Sequence, residues 1–277
     1  MKKFLLIVVL SFITSCTHLK QTEELFIYNA NNEPIYVKTE GLSNASYHKL
    51  VFIEHGLASN LHHQAVTAAK KAFLNNGYVV ITFDARYSLG NSGNEVKFVS
   101  LETMREDLET VINWAKNKPF YSAPFALSGH SLGGGSVIKY AAENKKDVGI
   151  LIPITPVISG DLWEESCMKN LPDFCPVWKK NGTYQYTDEK NHKTAVIPYK
   201  VVTETKKYNA NRLAKNIHAK TLIIGAASDI IINPKDINEL AKNIKKAQAV
   251  VIPSSGHNFE TNKNQADLYH TINTFLK

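Results

Sequence analysis

Along the chain, short runs of apolar or small residues alternate with longer stretches in which apolar positions recur every three or four residues. The short runs lie at 49–54, 78–83, 122–128, 147–153, 220–226 and 248–253. Near-continuous apolarity of this length predicts strands buried on both faces. Helical spacing fills 61–75, 101–117, 133–142, 235–246 and 264–276. In the second of these, Leu101, Met104, Leu108, Val111, Ile112 and Ala115 share one face, while Glu102, Arg105, Glu106, Glu109 and Lys116 take the other, an amphipathic pattern. Strands alternating with helices in this way predict an α/β fold, a mostly parallel sheet with helices on both faces. Two earlier runs, 24–28 and 34–38, flank a turn-rich 29–33 and predict an antiparallel hairpin ahead of the parallel strands.

The alternation breaks between 154 and 209. This stretch holds Pro156, Pro172, Pro176 and Pro198, with Trp163, Trp178, Tyr184, Tyr186, Tyr199 and Tyr208. It is too long for a simple connection. The division expected is a core of 24–153 and 210–277 with a cap or lid insertion at 154–209. The alternative for the insertion is a packed surface excursion that never meets substrate.

The first residues differ in kind from the rest. Lys2 and Lys3 precede a ten-residue apolar run, Phe4 to Ile13, too short to span a bilayer as a mature helix. Ile13-Thr14-Ser15-Cys16 resembles a bacterial lipobox. That resemblance implies a signal peptide at 1–15, lipid attachment at Cys16 and a lipidated tether at 16–23. The alternative is an ordinary secretory signal cut nearby. Thr17 resembles sorting to the Gram-negative outer membrane, so the expected location is exported, membrane-anchored through the lipid, on the outer membrane or the periplasmic face. Export changes the reading of the other two cysteines, Cys167 and Cys175, which are expected to close a disulfide in an oxidising compartment.

Composition narrows the partners. With 44% hydrophobic and 21% charged residues the chain is an ordinary globular one. Its net charge of +7 is dispersed in lysine pairs such as Lys70-Lys71 and Lys245-Lys246. No cluster of arginines and aromatics suggests nucleic-acid readout, so no nucleic-acid partner is expected. His62 and His63 are adjacent at a helix start and point to different faces, and no histidine stands at ligand spacing beside the cysteines. No metal or organic cofactor is implied.

The chemistry collects on loops that follow strands. Gly129-His130-Ser131-Leu132-Gly133 is a G-x-S-x-G pentapeptide between a strand and a helix, the setting of a nucleophile elbow. So sharp a turn strains the serine backbone and leaves no room for side chains at 129 and 133. Asp229 follows the strand at 220–226, and His257 follows the strand at 248–253. A serine hydroxyl needs an adjacent base. His257 would accept its proton through Nε2, and Asp229 would hold Nδ1–H. Asp236 competes for that role but sits on the helix after Pro234. The strand at 49–54 runs into His55-Gly56-Leu57, where Gly56 allows a tight turn. The N–H groups of Leu57 and Leu132 would then form an oxyanion hole. His55 is expected to orient that loop, and Asp84 and Arg86 to pair and brace the next one. His218 and His270 are expected at the surface.

These motifs resemble the α/β-hydrolases, in the broad group of bacterial esterases, monoacylglycerol lipases and serine-aminopeptidase-like hydrolases. The resemblance covers about 24–277 and rests on His55-Gly56, the Asp84-x-Arg86 loop, the pentapeptide, Asp229 and Gly256-His257. The loop from Asp84 departs from the group's usual Asp-x-Arg-Gly-x-Gly-x-Ser, so substrate class does not carry over. The favoured expectation is a serine hydrolase that cleaves a carboxylic ester or thioester of a small-molecule acyl substrate through an acyl-enzyme. A peptidase or amidase is the first alternative, with Asp161, Glu164, Glu165 or Asp173 available to hold a substrate ammonium. A non-catalytic binding module on the same scaffold is the second.

Overall fold

The six short apolar runs become the parallel strands of one sheet. In the computed structural model, residues 22–42, 49–93, 95–188 and 192–277 are described. The leader at 1–15, Cys16 and the tether to residue 21 lie outside the described residues. The six strands are β3 (Leu50–Glu54), β4 (Val79–Asp84), β5 (Phe125–His130), β6 (Val148–Ile154), β9 (Lys220–Ala226) and β10 (Ala247–Ile252). They pair in parallel in the order β4-β3-β5-β6-β9-β10. The hairpin β1 (Thr22–Tyr28) and β2 (Pro34–Glu40) extends this sheet antiparallel through β2 against β4. β1 therefore takes in Thr22 and Glu23, two positions expected in the tether.

Every residue of β3, β4 and β5 is buried. Alternate side chains serve opposite faces. Val51 and Ile53 pack with α1 (Gln64–Asn75) and α9 (Asn262–Leu276). Leu50 and Phe52 pack with α2 (Leu101–Ala115), α3 (Ser131–Glu143) and α8 (Pro234–Asn243). Each fully buried Ile, Leu or Phe contributes roughly 1.5–3 kcal/mol, which is why the apolar runs dictate the layers.

Element ends shift for local reasons. β5 begins at Phe125, because Pro124 has no N–H to give a ladder. α1 begins at Gln64 and not at 61. His63 caps it by accepting the Ala65 N–H, and Leu61 is tied instead to Asp84. α2 opens on a reciprocal capping box between Ser100 and Thr103.

Residues 154–209 form α4 (Gly160–Asn170), α5 (Cys175–Asn181), a separate hairpin of β7 (Thr183–Asp188) and β8 (Lys193–Pro198), and α6 (Lys200–Thr205). A bridge between Ser159 and Asn209, with the Ala210 N–H donating to Ile158, closes the base of this excursion. The chain then continues through the short α7 (Ala210–Leu213) to β9. Cys167 and Cys175 are joined as a disulfide between α4 and α5, with Cα atoms 5.8 Å apart. Among the described residues no helix is long and apolar enough to cross a membrane.

Candidate active site

The sharp turn between β5 and α3 presents Ser131 with φ of 55°, a left-handed backbone that a non-glycine residue adopts only under constraint. A side chain on Gly129 would collide with the Gly133 carbonyl, and one on Gly133 with the His55 carbonyl. Both glycines are thus required by close approach of the backbone.

Two further loops converge on this serine. The loop after β9 brings Asp229 and the loop after β10 brings His257. The Nε2 of His257 is 2.9 Å from Ser131 Oγ, and its Nδ1 is 2.8 Å from Asp229 Oδ2. A carboxylate only accepts, so Nδ1 carries the proton and Nε2 is left to accept from the serine hydroxyl. The other oxygen of Asp229 accepts the N–H groups of Ile231 and Ile232 at 2.8 and 2.9 Å. Ser131, Asp229 and His257 are 9%, 7% and 8% exposed, which keeps the array largely out of water. Asp236, the competing acid, stands on α8.

Leu132 is the second residue of α3, so its N–H belongs to the first turn and has no intrahelical acceptor. For the Leu57 N–H no partner is found among the described residues. His55 stands behind this loop. Its Nε2 accepts the Ala85 N–H at 3.0 Å and its Nδ1–H donates to the Gly56 carbonyl at 2.7 Å, tying the loops after β3 and β4 together. Burial lowers its pKa, which suits a neutral ring with one donor and one acceptor.

The expected Asp84–Arg86 pair does not form. Asp84 turns inward and accepts the N–H groups of Leu61 and Asn91, both at 2.7 Å. Arg86 reaches away to α2 and the hairpin, where it binds Asp107, Glu106 and Glu33. Residues two apart in sequence face different elements here, and Asp107 accepts both the backbone N–H and the Nε–H of Arg86.

A cavity of about 930 Å³ opens over Ser131 and His257. Its walls come from the loops after β3, β4 and β10 and from residues 163–197, including Trp163, Leu171, Phe174, Trp178 and Tyr184. The rings of Phe174, Trp178 and Tyr184 pack edge-on or stacked with centroids 4.9–5.7 Å apart. Cys167 belongs to the same wall, as do the polar Asp188 and Lys193, which went unnoticed in the sequence. Asp161, Glu164, Glu165 and Asp173 are absent from the cavity lining. The first three face a separate shallow depression with Lys179 and Lys180, and Glu164 is engaged by Lys179, Lys206 and Tyr199. His218 and His270 are exposed. Among the described residues no group of three His, Cys, Asp or Glu side chains is arranged to hold a metal ion.

Comparison with known proteins agrees with this architecture. An uncharacterized 31.7 kDa Escherichia coli protein of the traX–finO intergenic region is 24% identical over 216 residues, 68% of this chain and 75% of that one. Among solved structures, Est1E of Butyrivibrio proteoclasticus with bound ferulic acid matches with a TM-score of 0.74 at 17% identity, over 91% of this chain and 97% of Est1E. The Pyrococcus furiosus esterase Pf2001 matches with a TM-score of 0.68 at 19% identity, over 92% and 89%. The mouse α/β hydrolase domain-containing protein 10 matches at 0.69 and 16%, over 92% and 98%. At such identities these structures establish the fold, which is that of the α/β-hydrolases. Residues 45–264, well over half of the sequence, match the model of the serine aminopeptidase S33 family, and the chain belongs to that family.

Proposed function

We propose that this protein is a serine hydrolase that cleaves a carboxylic ester or thioester through an acyl-enzyme. The observation that carries the reading is the unbroken hydrogen-bond chain from Ser131 through His257 to Asp229 at the floor of a cavity. Ser131 Oγ attacks the acyl carbon as His257 Nε2 takes its proton. The new oxyanion accepts the N–H groups of Leu57 and Leu132. The bond to the leaving oxygen or sulfur breaks, and His257 returns the proton to it. Water then repeats the sequence on the acyl-enzyme, releasing the acid and restoring the serine. Asp229 keeps accepting the Nδ1–H throughout, fixing the tautomer. The aromatic wall supports a substrate with one apolar side, the acid or the alcohol.

The family match favours a second reading, an aminopeptidase. An exopeptidase needs an anion for the substrate ammonium, and the four acids first considered for it lie off the cavity. Asp188 is the acid on the cap side of the lining and is the residue that reading requires.

Labelling by a fluorophosphonate probe, abolished in Ser131→Ala, tests both. Unlabelled native protein would leave only a binding module. Turnover of short p-nitrophenyl esters well above that of aminoacyl p-nitroanilides is expected, and the reverse order would favour the peptidase. The leader belongs to the same proposal. Cys16 is acylated and the protein exported, a reading supported by the lipobox-like run and by the Cys167–Cys175 disulfide, since such bonds persist outside the reducing cytosol. Incorporation of labelled fatty acid, lost in Cys16→Ala, checks it.

A further inference from the structure

We infer that His130, the residue before the nucleophile, is a positioning residue that holds the backbone of the base and so sets the angle at which His257 meets Ser131. Its catalytic consequence rests on the esterase reading above; its structural part does not.

His130 is buried, and its Nε2 is 3.0 Å from the backbone carbonyl of His257. A carbonyl only accepts, so Nε2 carries the proton and Nδ1 does not. That Nδ1 faces Gly56 and has no hydrogen-bond partner among the described residues. A buried acceptor without a partner is unfavourable, and a leucine would avoid it. What the imidazole supplies in exchange is the Nε2–H on the His257 carbonyl. Two ring contacts fix its plane. The cavity-lining His63 stacks on it with centroids 4.5 Å apart and planes at 21°, and the His257 ring leans against it at 5.0 Å. Burial, then the neighbouring His63 and His257, hold its pKa well below the usual histidine range, so the ring stays neutral and its donor stays in place.

The same carbonyl takes a second donor, Thr155 Oγ1, at 3.3 Å. Thr155 itself has φ of 40°, and its N–H donates to Ile224 at 2.6 Å. The base is thus held from the end of β6 and from the elbow. The His130 contact is the shorter of the two and the more direct tie to the nucleophile's backbone, because one peptide bond separates His130 from Ser131.

Three variants separate this role from packing. A glutamine amide nitrogen overlays imidazole Nε2, whereas an asparagine nitrogen overlays Nδ1. His130→Leu and His130→Asn are expected to lower kcat on a p-nitrophenyl ester by about tenfold to a hundredfold, the scale of a misplaced catalytic group, with KM little changed. His130→Gln is expected to restore most of it. The downfield proton resonance of the His257 Nδ1–H bound to Asp229 should persist in His130→Gln and broaden or vanish in the other two. That resonance reads the clamp whether or not the native protein hydrolyses esters. An inactive native protein that still shows the split in resonance overturns the esterase reading and leaves the clamp standing. Native kcat with an unmoved resonance in His130→Leu, or equal loss in all three variants, would overturn the clamp.

Discussion

Ser131 Oγ and His257 Nε2 lie 2.9 Å apart although 126 positions separate the two residues in the chain. Nothing local brings them together. β5 and β10 are three places apart in the sheet, with β6 and β9 between them, and the loop after β10 reaches back past both to the elbow. The distance is one at which a proton moves without further rearrangement.

Removal of either partner is therefore expected to abolish turnover. Ser131→Ala or His257→Ala should lower kcat by about 10⁶-fold, and Asp229→Asn by about 10⁴-fold. The double variant Ser131→Ala/His257→Ala should be no worse than either single one, because the residues act as one unit. Steady-state hydrolysis of a p-nitrophenyl ester reads all of these, and additive losses would show that the two side chains act separately.

The sheet and the three loops at its rim were legible because each depends on short-range signals: apolar runs of strand length, helical spacing between them, and glycines where the backbone turns. The pairing of Arg86 was not. Its partner Asp107 lies 21 positions away and is 1% exposed. Yet it sits on the apolar side of α2, three residues from Met104 and four from Val111. An acid on a buried helix face demands a cation, and that signal was present in the sequence. The cavity wall was foreseen only as an aromatic-rich stretch. Which of its rings would face Ser131, and that its acids would face outward to Lys179 and Lys206, depends on how α4 and α5 fold back, a long-range event that no periodicity encodes. The clamp by His130 is likewise invisible in sequence, since the second position of the pentapeptide is left open by the G-x-S-x-G pattern.

Asp84 and Gly90 supply a test of the loop that departs from the family pattern. The Asp84 carboxylate occupies the space that a side chain at 90 would need. Gly90→Ala must therefore push Asp84 off the Leu61 and Asn91 amides. The expected cost is about 1–3 kcal/mol, as for other overpacked sites, seen as a lower urea midpoint, and KM should rise because Gly90, Asn91 and Asp84 all line the cavity.

Glu54 gives the protein a pH dependence of stability. It is fully buried on β3, and neither carboxylate oxygen has a hydrogen-bond partner among the described residues. Burial raises its pKa well above the usual carboxylate range. The folded state then holds a proton that the unfolded chain releases above about pH 4.3. Stability from this group is full below that pH and falls as pH climbs toward the folded value, by at most about 1.4 kcal/mol per pH unit. Glu54→Gln removes the slope while keeping the volume. Urea unfolding at about pH 5 and about pH 9 should show the variant gaining on the native protein at the higher pH; parallel curves would mean that Glu54 is already ionised in the fold.

The disulfide between Cys167 and Cys175 bears on binding more than on chemistry. It joins α4 to α5, which carry Trp163 and Trp178 into the cavity wall, and closes the connection between them that carries Leu171 and Phe174. Closing so short a loop stabilises by about 2–3 kcal/mol through the unfolded state. In Cys167→Ala/Cys175→Ala that stabilisation is lost and the wall can spread. An ester with a bulky apolar acyl group uses the wall, whereas the small fluorophosphonate meets only Ser131, His257 and the amides of Leu57 and Leu132. The double variant should thus raise KM for the bulky ester several-fold while its rate of fluorophosphonate labelling stays near native. A matched fall in both would show that the staple supports the catalytic floor, since the two probes share that floor and differ only in how far they reach across the wall.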